Sequence, residues 1–243
     1  MIRKFLIAII FTVLTGNTVL SEQSNSSDTQ LVFLHELFPN IYQDIRYATE
    51  KNFTNAVLPG YHGMQCRIMR DTAEALNRVE AELNKMGYAL IVYDCLRPIE
   101  AVTAMVNWVK SGDPLALDPL YYPNIPKKSL IEAGYISATS AHTLGKTVDV
   151  AIKKIETDIK NPLLHPSKSI KMDTKKLLGN EIDMGTNFDC FDKKSHTFST
   201  EISRTAESNR KILLTAMQRH GFKNYFREWW HYTFIGTVKQ PIR

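Results

Sequence analysis

Apolar residues recur at helical spacing through Ile68, Met69, Ala73, Leu76, Val79, Leu83 and Met86, with charged residues between them and Gly87 behind. Steps of three and four followed by a glycine predict an amphipathic helix that stops there. Tyr88 to Asp94 then reads as a strand. Pro98 suits the first turn of a second helix, which continues through Ala101, Val102, Met105 and Trp108 to Gly112. Asp113 to Lys128, rich in proline and tyrosine, predicts a loop. Val148 to Ile152 is a strand candidate with Val148, Val150 and Ile152 on one face and Asp149 and Ala151 on the other. Lys153 to Asn180 is polar, holds seven lysines, and predicts an excursion from the core. Ser203 to His220 repeats the helical pattern before Gly221, and Trp229 to Ile235 is an aromatic, β-prone run. Helices and strands alternate without regular βαβ order. The expected class is α+β, a single domain whose mixed or antiparallel sheet is flanked by helices.

The first residues break this pattern. Arg3 and Lys4 precede an apolar run from Phe5 to Leu14, and polar residues follow from Gly16 to Ser26. That layout predicts a secretory signal peptide over residues 1–21, because the run is too short for an ordinary membrane span. Cleavage after Ser21 puts Val19 and Ser21 at the small-residue positions. Residues 22–243 are then one mature domain, exported, with the periplasm as the expected compartment and no stable membrane span once the signal is removed.

Composition narrows the function classes. The 243 residues are 44% hydrophobic and 23% charged, which is ordinary for a globular chain and excludes disordered and fibrous classes. The net charge of +5 is a mild excess spread along the chain, and no nucleic-acid-binding motif accompanies it. Cys66, Cys95 and Cys190 form no CxxC pair. Export permits one disulfide and leaves one thiol, with the pairing open.

Two segments carry candidate chemistry. In Ser140-Ala-His-Thr-Leu-Gly-Lys-Thr-Val-Asp149, His142 precedes the bend-forming Gly145 and Asp149 falls inside an apolar strand. A carboxylate buried there needs a partner, either a metal or an ordinary salt bridge or hydrogen bond. In Arg227-Glu-Trp-Trp-His-Tyr-Thr-Phe234, Glu228 and His231 are three apart, so in a regular strand they point to opposite faces. For both to reach one site, Glu228 must lie at a turn or bulge just before the strand. Two histidines and a carboxylate are a recognised catalytic zinc set, and a nearby glutamate that is not a ligand can serve as the base of a metal hydrolase.

With these motifs in view, the chain resembles the VanX-like D-Ala-D-Ala dipeptidases, a branch of the zinc DD-peptidases that share the hedgehog-type fold. The SxHxxGxxxD motif matches Ser140, His142, Gly145 and Asp149, and the ExWH motif matches Glu228, Trp230 and His231. Asp94 to Pro98, Tyr47 to Thr49, Asn52 to Thr54, Tyr121 to Asn124 and Phe188-Asp189 match further family segments in order, over roughly Gln43 to Phe234. Leu96 stands where the family usually has tyrosine, Thr147 where it usually has alanine, and the stretch from Ile152 to Ile182 is longer than in compact members.

The resemblance implies one zinc ion on His142, Asp149 and His231, with Glu228 as the base that accepts a proton from water and returns it to the leaving amine. Arg97 is a candidate to stabilise the developing oxyanion, or else a structural ion-pair partner of Asp94 or another acid. Tyr47 and Asp189 are expected at the substrate ammonium and Ser140 near the substrate beside the ligand loop. The implied substrate is D-Ala-D-Ala or a similar small dipeptide, in cell-wall turnover. The rival readings are a zinc carboxypeptidase or endopeptidase on peptidoglycan stem peptides and a non-catalytic binding module of the same fold. His35, His62, His165, His196 and His220 receive no role, and Cys95 is read as structural.

Overall fold

The computed structural model describes residues 30–61, 63, 65–155 and 182–236. The segment read as a signal peptide and most of the lysine-rich excursion lie outside the described residues. In chain order the first elements are β1 (Leu31–Phe33), α1 (Leu34–Leu37), β2 (Tyr42–Gln43), β3 (Arg67–Met69) and α2 (Arg70–Lys85). Next come β4 (Tyr88–Asp94), α3 (Ile99–Lys110), β5 (Thr147–Lys154), α4 (Arg204–Arg219), β6 (Phe222–Asn224) and β7 (His231–Phe234). Short 3-10 turns at Arg46–Ala48, Lys127–Ser129, Ala141–Leu144 and Lys193–Ser195 punctuate the loops.

One sheet has the order β2-β4-β5-β7-β6, with β2 parallel to β4 and the remaining neighbours antiparallel. A separate antiparallel pair joins β1 to β3. This is the expected α+β class with a mixed sheet. The central strands are buried on both faces, β4 from Ala89 to Asp94 and β5 from Thr147 to Lys153. That is why Val148 and Asp149, on opposite faces, are equally hidden.

The helix α2 buries Ala73, Leu76, Val79 and Leu83 as one stripe. Each such aliphatic side chain contributes about 1.5–3 kcal/mol by leaving water. The helix begins later than the periodicity suggests. Ile68 pairs with Val32 and Met69 with Leu31, so both residues lie in β3. Strand pairing overrides helical spacing there, and Ile68 is wholly buried in the strand. Pro98 is the residue before α3 rather than inside its first turn. At α4, the Ser203 hydroxyl accepts from the Ala206 N–H and so satisfies a free amide of the first turn. Gly221 ends the α4 region at φ +87°, where an added Cβ would collide with the Gly236 carbonyl oxygen. Lys153 and Lys154 belong to β5 rather than to the excursion. The aromatic run yields a strand only over His231–Phe234, since Trp229 and Trp230 form a turn. Cys66 and Cys95 are joined in a disulfide, and Cys190 is a buried free thiol.

Candidate metal centre and substrate cleft

The sheet register brings the site together. Asp149 lies opposite Asp94 of β4 on one side and opposite His231 of β7 on the other. A register shift between Val92 and Asp94 interrupts β4 beside this row. His142 arrives from the 3-10 turn that precedes β5. Ser140 starts that turn, its Oγ accepting from the His142 N–H at 3.3 Å. Gly145 reverses the chain at φ +67°, where a Cβ would stand 2.9 Å from a Leu31 methyl.

Three donor atoms converge. His142 Nε2 lies 3.3 Å from His231 Nδ1, and these nitrogens lie 3.3 and 3.2 Å from Asp149 Oδ1. Tetrahedral coordination by N and O ligands at about 2.0–2.2 Å places them about 3.3–3.6 Å apart, so the set fits a metal ion. Its protonation fits too. His142 Nδ1 is 2.8 Å from the Cys95 carbonyl, which can only accept, so Nδ1 carries a proton and Nε2 is the nitrogen turned to the other donors. Burial lowers the pKa of His231 against the pull of Asp149 and favours the neutral ring that binds metals. Asp149 Oδ1 is buried and, among the described residues, has no hydrogen-bond partner, although burying such an oxygen is costly.

Glu228 sits in the β6–β7 connection. Its N–H donates to the Tyr225 carbonyl at 3.0 Å, and its own carbonyl accepts from Asn224 Nδ2 at 3.0 Å. This is the turn that the three-residue spacing required. Glu228 Oε2 lies 3.4 Å from His231 Nδ1. Burial pushes the Glu228 carboxyl well above its usual range, Asp149 and Asp189 push it further, and Arg97 opposes them.

Arg97 forms the expected ion pair and also faces the cleft. Its Nε and Nη2 lie 2.9 Å from Asp94 Oδ2, and Nη2 is 3.5 Å from Asp149 Oδ2. It also lines the cleft and covers the Tyr47 ring at 4.9 Å. Asp149 thus turns one oxygen to Arg97 and the other to the histidines. Asp94 accepts further bonds from Tyr61 Oη at 2.7 Å and the Cys95 N–H at 2.9 Å.

Asp189 and Tyr47 meet across the cleft, the Tyr47 hydroxyl lying 2.9 and 3.1 Å from the two carboxylate oxygens. Asp189 holds φ +61°, a left-handed conformation uncommon outside glycine. Burial raises its pKa well above the usual range and Asp149 adds to the rise, while Tyr47 and Arg97 act in the other direction.

The cleft has a volume of about 390 Å³, and Tyr47, Arg97, Ser140, Asp149, Asp189, Glu228 and His231 all line it. Every site residue expected from sequence is therefore at or directly behind one cleft, with His142 wholly buried. Asp94, Asp149, Asp189 and Glu228 are buried carboxyl groups, and Arg97 is the cation among them. The imbalance favours cationic occupants.

Sequence reasoning missed three supports. The Cys95 carbonyl orients His142, Tyr61 holds Asp94, and Tyr225 and Arg227 donate to the carbonyls of Gly134 and Ala133 in the opposite wall. An acid ending a buried strand three residues before Arg-Pro was the signal for Asp94; the carbonyl has none. Leu96 faces a separate small pocket beside the disulfide, and the Thr147 hydroxyl pairs with that of Thr233 at 2.9 Å. Neither departure lines the cleft. Among the histidines without a role, His220 pairs with Glu82 at 2.9 Å and His196 contacts the Tyr135 hydroxyl at 3.2 Å. His62 and His165 lie outside the described residues.

A family profile described as peptidase M15, D-ala-D-ala dipeptidase, matches residues 27–161 and 167–242. A D-alanyl-D-alanine dipeptidase of Enterococcus faecalis is 30% identical over 204 residues, covering 84% of this chain and 91% of the relative. One from Streptomyces coelicolor is 29% identical over 201 residues, covering 83% and 89%. One from Escherichia coli K12 is 24% identical over 217 residues, covering 89% and 91%.

Proposed function

Because the chain belongs to the peptidase M15 family of D-ala-D-ala dipeptidases, we propose that it hydrolyses free D-Ala-D-Ala to two D-alanines with one zinc ion held by His142, Asp149 and His231. The observation that carries the reading is the convergence of these donor atoms, with Glu228 3.4 Å from one of them. When bound, zinc supplies Lewis-acid chemistry, polarising the scissile carbonyl and acidifying water.

The chain's own residues do the rest. Glu228 takes the proton from the attacking water as its oxygen bonds to the carbonyl carbon. The C–N bond then breaks, and Glu228 returns the proton to the departing amine. Arg97, locked by Asp94, offers its remaining guanidinium hydrogens to the oxyanion without having to reorganise. Asp189 and the Tyr47 hydroxyl receive the substrate ammonium, and Ser140 orients the substrate from the ligand loop. A buried carboxyl that requires a cation selects a peptide with a free amine close to the scissile bond, which favours a dipeptide over longer wall peptides.

We further infer export, with the periplasm as the compartment and wall turnover or scavenging as the role. The charged-then-apolar N-terminus supports this, as does a disulfide between Cys66 and Cys95, a bond typical of oxidising compartments. Among the described residues, no helix is long and apolar enough to cross a membrane. The experiment is D-alanine release from D-Ala-D-Ala by the purified protein, before and after chelation and with zinc restored. Zinc-dependent release is expected. A folded, zinc-loaded protein that releases none would overturn the substrate assignment, and activity indifferent to chelation would overturn the metal. Recovery of active protein chiefly from the cytoplasm would overturn export.

A further inference from the structure

Asp189 is anchored from behind by a residue that touches no substrate. Arg210 of α4 is 2% exposed, yet its guanidinium faces main-chain carbonyls rather than a carboxylate. Nε donates to the Met184 carbonyl at 2.7 Å, Nη1 to that of His196 at 2.7 Å, and Nη2 to that of Lys194 at 2.9 Å. These carbonyls bracket Asp189, one five residues before it and the others five and seven after. The planar fork thereby closes residues 184–196 into a loop of one shape. A second tie crosses the same loop. Thr186 Oγ1 accepts from the Trp229 indole N–H at 2.9 Å and lies 2.9 Å from Ser195 Oγ. Trp229 directly follows Glu228, so the tie joins the Asp189 loop to the turn that carries the base.

The arrangement bears on Asp189 for a conformational reason. Its left-handed φ of +61° persists only if the flanking chain imposes it. No regular strand or helix holds Asp189; its segment is a loop, and three of the bonds that tie that loop down, on both sides of Asp189, end on Arg210.

We propose that Arg210 is a positioning residue for the substrate-amine pocket, fixing the loop that presents Asp189 and so setting affinity for the free amine rather than the rate of bond cleavage. The proposal rests on the assignment of the substrate amine to Asp189. The test is steady-state kinetics on D-Ala-D-Ala with zinc content and melting temperature measured beside it, for Arg210→Met, Arg210→Lys, Asp189→Asn and the double variant Arg210→Met/Asp189→Asn. Arg210→Met is expected to raise KM about tenfold with kcat within about twofold and zinc stoichiometry unchanged. Arg210→Lys keeps a donor but loses the fork, and falls between. The double variant is expected to raise KM no further than Asp189→Asn alone, which a purely structural role would not produce. Should Arg210→Met fail to fold, Trp229→Phe removes only the indole donor to Thr186 and is expected to raise KM about threefold. An unchanged KM in the folded variants, or a fall in kcat at constant KM, overturns the proposal. If Asp189→Asn itself leaves KM unchanged, the amine assignment fails and the proposal falls with it. If Asp189→Asn raises KM but the Arg210 and Trp229 variants do not, the positioning role alone is lost.

Discussion

Asp149 and Asp189 are buried aspartates in one cleft, and burial leaves them in opposite states. At Asp149 the upward push of burial is overcome by His142 and His231, which hold the carboxyl below its usual range. At Asp189 burial and the nearby Asp149 charge win over the Tyr47 hydroxyl and Arg97, and the carboxyl is raised. The difference follows from where each residue is built. Asp149 lies in the central strand, where sheet register supplies a histidine beside it and Arg97 reaches its second oxygen at 3.5 Å. Asp189 lies on a loop at left-handed φ with one hydroxyl as its direct partner. The first carboxyl belongs to a set of donors that could hold a metal ion. The second is left short of positive charge, the condition in which a ligand's ammonium adds most.

The comparison can be broken most severely at the metal side. Glu228→Gln should keep zinc and lower kcat by about 10²–10⁴-fold, whereas Asp149→Ala should lose zinc as well as activity. Metal analysis beside kinetics separates the two, and a zinc-loaded, fully active Glu228→Gln protein would remove the base from its role. On the amine side, Asp189→Asn should weaken substrate binding by about 2–5 kcal/mol, read as KM, with zinc retained. Equal losses of zinc from Asp149→Ala and Asp189→Asn would erase the distinction drawn here.

The disulfide probes how firmly the Asp149 side is held. It anchors Cys95, whose carbonyl fixes the His142 tautomer. Replacing both Cys66 and Cys95 with serine should cost about 3 kcal/mol of stability and speed zinc loss to a chelator. Thermal melts and a chelator time course report the two effects separately.

A third buried acid tests the rule away from chemistry. Glu80 accepts from the Leu90 N–H at 2.7 Å, and burial raises its pKa to about 7 against the backbone bond and Asn84. Near pH 4 both folded and unfolded chains hold the proton. Between about pH 4.5 and 7 the unfolded chain releases it while the folded chain keeps it, so stability falls as pH rises through this window. Glu80→Gln preserves the acceptor and should remove that loss, on the order of 2 kcal/mol at pH 8 and little at pH 4. Denaturant melts at the two pH values decide it, and an equal effect at both would show that Glu80 ionises freely.

Much of this was legible in the chain. Tyr88–Asp94 and Arg204–Arg219 follow the apolar spacing closely, because burial demands that period. The requirement that Glu228 sit in a turn came from its distance to His231 alone, and the β6–β7 connection supplies it. Ile68 and Met69 misled because helical spacing cannot register that β1 stands ready to pair with them. The disulfide was open for the same reason: three cysteines allow three pairings, and the fold alone brings Cys66 and Cys95 within 5.5 Å between Cα atoms.

The sequence by itself determined which groups are present and on what kind of element: the candidate ligands His142, Asp149 and His231, the candidate base Glu228, and the apolar periods around them. These are local properties, set by side-chain chemistry and backbone repeat. The tertiary structure decided how those groups meet. Asp149 stands beside His231 through strand register, His142 keeps its tautomer through the Cys95 carbonyl, and the loop shape behind Asp189 depends on Arg210. Each is a contact between distant parts of the chain, made through main-chain carbonyls or strand pairing. Every residue carries those backbone groups alike, so no residue type marks them in advance.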